Sequence, residues 1–307
     1  MKGIELAGKL FREFGEPMLA SQFPELLPRL AIGIAGRGSE CFGFDDDVSC
    51  DHDHSGGFTI WISEADDLKY GIALSRAYKE LQKSFPQNQS ASSALGGQEH
   101  GICVIDDFFY RHLGFPGAPR GWQEWLYTPE HAFAEVVNGE VFRDDCGKFS
   151  GIRKEISSAM PRDVRLKKLA ARAVMMAQSG QYNFERCLRH NEPGAAAMAL
   201  AEFVRHTVSM VFLLNHRFAP YYKWQFRAMR QLPWGSDIAD DLENLLTGRF
   251  LPDTKKALIS RISAKIISEL AAQKLSAVQD DYLEPHAFAL MSRIEHREIR
   301  ALHIMEG

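Results

Sequence analysis

Between residues 36 and 53 the sequence gathers side chains suited to polyphosphate chemistry. Gly36-Arg37-Gly38-Ser39 ends an apolar run, and Asp51-His52-Asp53 follows Ser39 after eleven intervening residues. On a strand, alternate positions share a face, so Asp51 and Asp53 can aim both carboxylates at one point. Converging carboxylates repel and call for a divalent cation. Hard oxygen ligands and phosphates favour Mg²⁺. Gly38 lets the backbone approach a phosphate, Ser39 adds a hydroxyl, and turn N–H groups cradle anionic oxygens. Arg37 puts a cation beside them. The chemistry this serves is in-line attack at a nucleotide phosphorus.

Other residues extend the pattern. Asp106, with Asp107 next to it, ends an apolar strand and is the candidate third carboxylate; a helix-capping role accounts for it equally. Glu202 is a candidate general base. Lys223 lies within Pro220-Tyr221-Tyr222-Lys223-Trp224, where rings can stack a base and the ammonium can meet a triphosphate. Tyr182 and Arg186 are further nucleotide-binding candidates at the start of a helix. A zinc reading of Cys41, Cys50, His52 and His54 fails on spacing.

These residues need elements to hold them. Helical periodicity over 4–14 precedes an apolar strand at 30–35, a second strand at 58–62 and a third at 102–105. A helix capped by Asp66 or Asp67 runs to about Phe85, and shorter helices fall at 108–113 and 129–137. Residues 140–149 read as a hairpin. Beyond about 153 the pattern is helical: 162–178, 182–190, 194–215, 221–231, 237–246, 253–275 and 281–304. The expected fold class is α+β, with a mixed-sheet domain over 1–150 and an all-helical domain over 151–307.

The chain has 307 residues, 45% of them hydrophobic and 25% charged, as in ordinary globular proteins. No apolar stretch approaches the ~20 residues of a membrane span. Five scattered cysteines and a start without a signal peptide's apolar block point to the cytoplasm. The net charge of −4 argues against non-specific nucleic-acid binding. Residues 1–150 hold 13 Lys/Arg against 23 Asp/Glu, a balance of −10; the rest hold 23 against 17, a balance of +6.

Gly38, Ser39, Asp51 and Asp53 fall in order on the pattern of the nucleotidyltransferase superfamily, which the chain resembles. In that superfamily the strand continues directly after Asp-x-Asp. Here His54-Ser55-Gly56-Gly57 intervenes before Phe58, so the pair sits before a bulge or in a loop. The run Gly38–Asp46, then Asp51-His52-Asp53, then Leu214–Trp224, also resembles a bacterial family of unknown function, over roughly 30–235. The resemblance implies a nucleotidyltransferase-like sheet domain and a Mg²⁺-dependent transfer of a nucleoside monophosphate from an NTP. Asp51 and Asp53 would hold the metal, Asp106 would complete the site, and Arg37, Gly38, Ser39, Lys223, Tyr182 and Arg186 would hold the nucleotide. A small molecule, a protein side chain and an RNA end are all open as acceptor. The alternative is a nucleotide-binding regulator without turnover.

Overall fold

A computed structural model describes residues 1–46, 56–85 and 100–307. The chain divides into two compact units, one of residues 1–120 and 132–159, the other of 121–131 and 160–307. The division falls at 159 rather than 150, and 121–131 goes with the second unit. The first unit extends further because α7 (Lys148–Ser158) brings Phe149 flat against Trp61, ring centroids 4.0 Å apart.

In the first unit, α1 (Gly3–Leu10) and α2 (Glu16–Gln22) form one helical run joined by a wider turn over Phe11–Gly15. Pro17 cannot donate a backbone hydrogen bond, and the helix loosens just ahead of it. β1 (Ala31–Ile34), β2 (Thr59–Ile62), β3 (Gly101–Val104) and β4 (Glu140–Asp144) form a mixed sheet in the order β3-β2-β1-β4. β1 is antiparallel to both neighbours, pairing Ile32 with Ile60 and with Arg143, while β2 and β3 run parallel. Both central strands are buried along their length, so they read as apolar runs rather than as alternation.

The two faces of the sheet are nonetheless distinct. Phe58, Ile60 and Ile62 face a core with Phe11, Leu74 and Tyr78, the last two from α3 (Glu64–Gln82). Trp61 faces the other way, against Phe149 and against Phe108 of α4 (Ile105–Leu113). α6 (Glu130–Val137) leads into β4.

Two local expectations are corrected here. Ser63, not Asp66 or Asp67, caps α3: its Oγ accepts from the Asp66 N–H at 3.2 Å. Residues 140–149 are not a hairpin. β4 pairs with β1, and the turn after it opens α7, whose Ser150 N–H donates to the Asp144 carboxylate at 2.7 Å.

The second unit is helical. Its centre is α8 (Arg162–Met176), packed on α10 (Pro193–Leu214) and on α14 (Leu283–Ser292). α5 (Trp122–Tyr127), α9 (Phe184–Arg189), α11 (Gln225–Met229), α12 (Ile238–Thr247) and α13 (Pro252–Ala272) surround them. α10 is long and apolar enough to cross a membrane by composition, but most of it is buried in this unit's core. The helix expected over 281–304 is broken into α14 and α15 (Arg297–Ala301). The break is held by Asp163, whose carboxylate accepts from the Glu295 and His296 N–H groups at 2.9 and 2.7 Å. The observed class is α+β, a mixed-sheet unit and a helical one, as expected.

The Trp61–Phe149 stack closes one face of the sheet. Phe149→Ala should destabilise the first unit by roughly 3–5 kcal/mol, as ring removal from a filled core does. Urea unfolding followed by circular dichroism measures it.

Candidate functional site

The first unit has a cavity of about 500 Å³ where β1 ends and β2 and β3 begin. Gly36 forms one wall at φ +139°, a conformation that favours glycine. The Asn138 side-chain amide fixes it from both sides, accepting from the Gly36 N–H at 3.0 Å and donating to its carbonyl at 2.7 Å. Arg37 therefore leaves the strand end at a defined place.

The charged heads on this cavity are Arg37, Lys79 from α3, and Arg111 from α4. Arg37 Nε and His112 Nδ1 both approach Glu135 Oε2, at 3.3 and 3.0 Å. Glu135 is buried behind them. Arg111 Nη2 donates to Cys103 Sγ at 2.8 Å. The Tyr78 hydroxyl donates to the Phe58 carbonyl at 2.6 Å. Burial pushes the Cys103 thiol up to about 11, raises the Tyr78 phenol and pushes the His100 imidazole down to about 4. All three are neutral at pH 7. No carboxylate is among the described residues of the cavity wall; Glu135 stands behind it, and Asp67 and Asp107 act on Cys103 from farther off. The arrangement is an anion receptacle with three permanent cations.

The expected site residues are distributed unevenly. Arg37 lines the cavity. Ser39 beside it is buried, and its Oγ finds no hydrogen-bond partner among the described residues. Gly38 faces the Glu40 carboxylate, whose Oε1 lies 2.1 Å from where a Cβ would stand. Asp106 is exposed in the first turn of α4, where its charge suits the helix's positive end, and it does not line the cavity. Asp51 and Asp53 lie outside the described residues.

In the second unit, Tyr182 and Arg186 engage each other: the guanidinium donates to the phenol and lies over its ring at 5.4 Å. Lys223 is exposed in a short turn over Tyr222–Trp224. Glu202 is held by Arg205 at 2.6 Å and by His206 at 3.2 Å. A pocket of about 290 Å³ in this unit instead collects Glu130, Lys168, Arg172, Arg205 and Ser209. None of the expected residues lines it. Lys168 and its neighbour Lys167 are buried in α8. Nothing in the local sequence marked them, since six of the fifteen residues of α8 are charged and the helix reads as partly solvated.

Residues 125–225 match the sequence model of a domain of unknown function (DUF4037). The match covers about a third of the chain and includes the Leu214–Trp224 stretch on which the resemblance to a family of unknown function rested. The DUF4037 segment also contains every residue of the second unit's pocket except Gly307. No curated protein matches the chain. A crystal structure of a nucleotidyltransferase-like protein from Exiguobacterium sibiricum 255-15 is similar at 9% identity and a TM-score of 0.38, covering 92% of this chain and 81% of that one.

His100 supplies a pH test. Its folded pKa lies below the usual 6.5, so on acidification the unfolded chain takes up the proton first. The stability this group contributes is therefore intact above about pH 6.5 and is lost as pH falls toward 4. His100→Gln should flatten the fall in unfolding free energy across that window by up to about 1.4 kcal/mol per pH unit. Urea titrations at a series of pH values read the difference.

Proposed function

We propose that the first unit binds a nucleoside triphosphate in the cationic cavity and transfers its nucleoside monophosphate to an acceptor hydroxyl or phosphate. The observation that carries this reading is Arg37, Lys79 and Arg111 facing one cavity at the sheet edge, with no carboxylate on its described wall. Such a wall holds a polyanion and orients it through guanidinium forks. The neutral His100 and Cys103 add no negative charge to that field. Arg37, anchored by Glu135, would hold one end of the polyphosphate, and Arg111, anchored on Cys103, another.

Among the described residues no group of three or more His, Cys, Asp or Glu is placed to hold a metal ion. A Mg²⁺ ion would therefore depend on Asp51 and Asp53, two carboxylates ahead of β2 in the sequence. When bound, it would stabilise charge on the attacking and leaving oxygens. The residues of this chain supply grip and orientation. Lys223, Tyr182 and Arg186 remain proposed contacts for the nucleotide, and the acceptor class is open among a small molecule, a protein and an RNA end.

A second reading, nucleotide binding without turnover, is favoured by the burial of Ser39 and the closeness of the Glu40 carboxylate to Gly38. With the turn in that state, Arg37 lines the cavity while Gly38 and Ser39, the other expected phosphate-binding residues of the turn, do not.

Purified protein given each labelled NTP with Mg²⁺ and cell extract should release pyrophosphate and label an acceptor. Asp51→Ala and Asp53→Ala should abolish release while NTP binding persists. Lys79→Ala and Arg111→Ala should each weaken binding about tenfold, the loss of one charge-assisted contact. Saturable NTP binding without pyrophosphate would establish the regulator instead. No binding at all would end both readings.

A further inference from the structure

The pocket in the second unit has no part in the reading above. Its most informative atom is Glu130 Oε2, which is buried and has no hydrogen-bond partner among the described residues. The other oxygen, Oε1, accepts from Ser209 Oγ at 2.7 Å, and Ser209 Oγ accepts from Arg172 Nε at 2.9 Å. The carboxylate is thus held in one orientation by a hydroxyl that a guanidinium holds in turn. A carboxylate oxygen so placed lacks the donor that buried acceptors nearly always find.

The cations beside it are equally specific. Lys168 Nζ spends one proton on the Leu126 carbonyl at 2.9 Å, out of three it can donate. Arg172 donates through Nη2 to the Gly307 backbone oxygen at 2.6 Å, and its Nη1 faces His206 Nδ1 at 3.3 Å. Arg205 reaches the pocket from a more exposed position while holding Glu202. His206 is neutral, pushed down to about 3 by burial and by the two neighbouring guanidiniums, so it adds no charge. Burial also lowers Lys168 and Arg172 despite the Glu130 carboxylate nearby. Protein contacts therefore do not fully replace the water these cations have lost. The pocket of about 290 Å³ has room for far more than one water of about 30 Å³.

We propose that this pocket binds a small hydroxylated oxyanion, a sugar phosphate or a hydroxy acid, with its oxyanion on Lys168, Arg172 and Arg205 and one hydroxyl donating to Glu130 Oε2. The cations supply affinity and Glu130 supplies selection. A ligand without a hydroxyl leaves that oxygen unpaired, and a ligand without an oxyanion leaves Lys168 and Arg172 with Glu130 as their shared counter-charge. The inference stands on the second unit alone and shares no residue with the cavity of the first.

Isothermal titration of the full chain tests it with four probes: ribose 5-phosphate, gluconate, ribose and inorganic phosphate. Ribose 5-phosphate or gluconate should bind saturably, identifying the oxyanion as phosphate or carboxylate, and ribose should not bind. Glu130→Gln should weaken the hydroxylated anion about tenfold and change inorganic phosphate by less than about twofold. Arg205→Ala, a change at an exposed position whose fold circular dichroism should find intact, should weaken every anion that binds by about tenfold. Binding of neither hydroxylated anion would overturn the proposal. So would binding that both variants leave unchanged, or equal losses for the hydroxylated anion and inorganic phosphate in Glu130→Gln.

Discussion

The first unit depends on how tightly β1 is enclosed. It lies between two antiparallel partners, and a Cβ on Gly33 would come within 2.3 Å of the Glu140 carbonyl oxygen. One residue further along the same pairing, a Cβ on Gly139 would stand 1.9 Å from the Ile34 carbonyl oxygen. These backbones approach so closely that only glycine fits at both places. The same approach brings Asn138 against Gly36, and the amide then fixes the turn that carries Arg37. The position of the cavity's first cation is thus set by backbone packing in the sheet. Its two other cations come from α3 and α4, the helices that follow β2 and β3. A cationic cavity at this edge is a product of strand order as much as of composition.

The second unit solves a different problem. α8 is buried nearly all round, yet it carries Lys167, Lys168 and Arg172. Ammonium and guanidinium groups are tolerated there because their long stems reach carbonyl groups at the edges of neighbouring segments. Lys168 reaches the end of α5, and Lys167 reaches the carbonyls of His303 and Ile304 at 2.8 and 3.1 Å. Breaking such a cage would leave a buried charge uncompensated, which costs more than the contact itself contributes. These lysines therefore tie sequence-distant segments to α8, and the pocket beside them inherits cations that cannot swing away to solvent.

Much of this was legible in the sequence, for identifiable reasons. The central strands announced themselves as short apolar runs rich in β-branched residues, because both faces of the sheet are covered. Most helices followed from periodicity. Two of the misreadings share a cause, that local sequence does not say what a segment next meets. Asp144-Asp145-Cys146-Gly147 is a sound turn, but β4 finds its partner in β1 and a helix follows. Arg293–His296 interrupts a good helical pattern because Asp163, more than a hundred positions away, accepts two of its N–H groups. The candidate sites were less legible. Arg37 was visible beside its glycines. Lys79 and Arg111 each read as ordinary cations near a helix C-terminus, where they suit the helix dipole, and nothing in their spacing says that they meet. Lys168 and Glu130 were invisible for the same reason: pairing between distant segments has no local signature.

Charge along the chain is a further case of averages hiding geometry. Residues 1–150 carry a balance of −10, which taken alone discourages a polyanion. Yet the cavity in the first unit is lined by cations, and among the described residues the carboxylates near it stand behind them or off to one side. Solvent screens interactions between exposed charges beyond roughly 8–10 Å, so a distant acidic surface subtracts little from a partly enclosed group of cations. Low-dielectric walls focus the field that remains. An acidic surface of that balance would repel extended anions, which must lie along it, more than compact ones that enter a cavity. The sign of a domain's net charge thus constrains how large an anion can be accommodated more than whether one can bind.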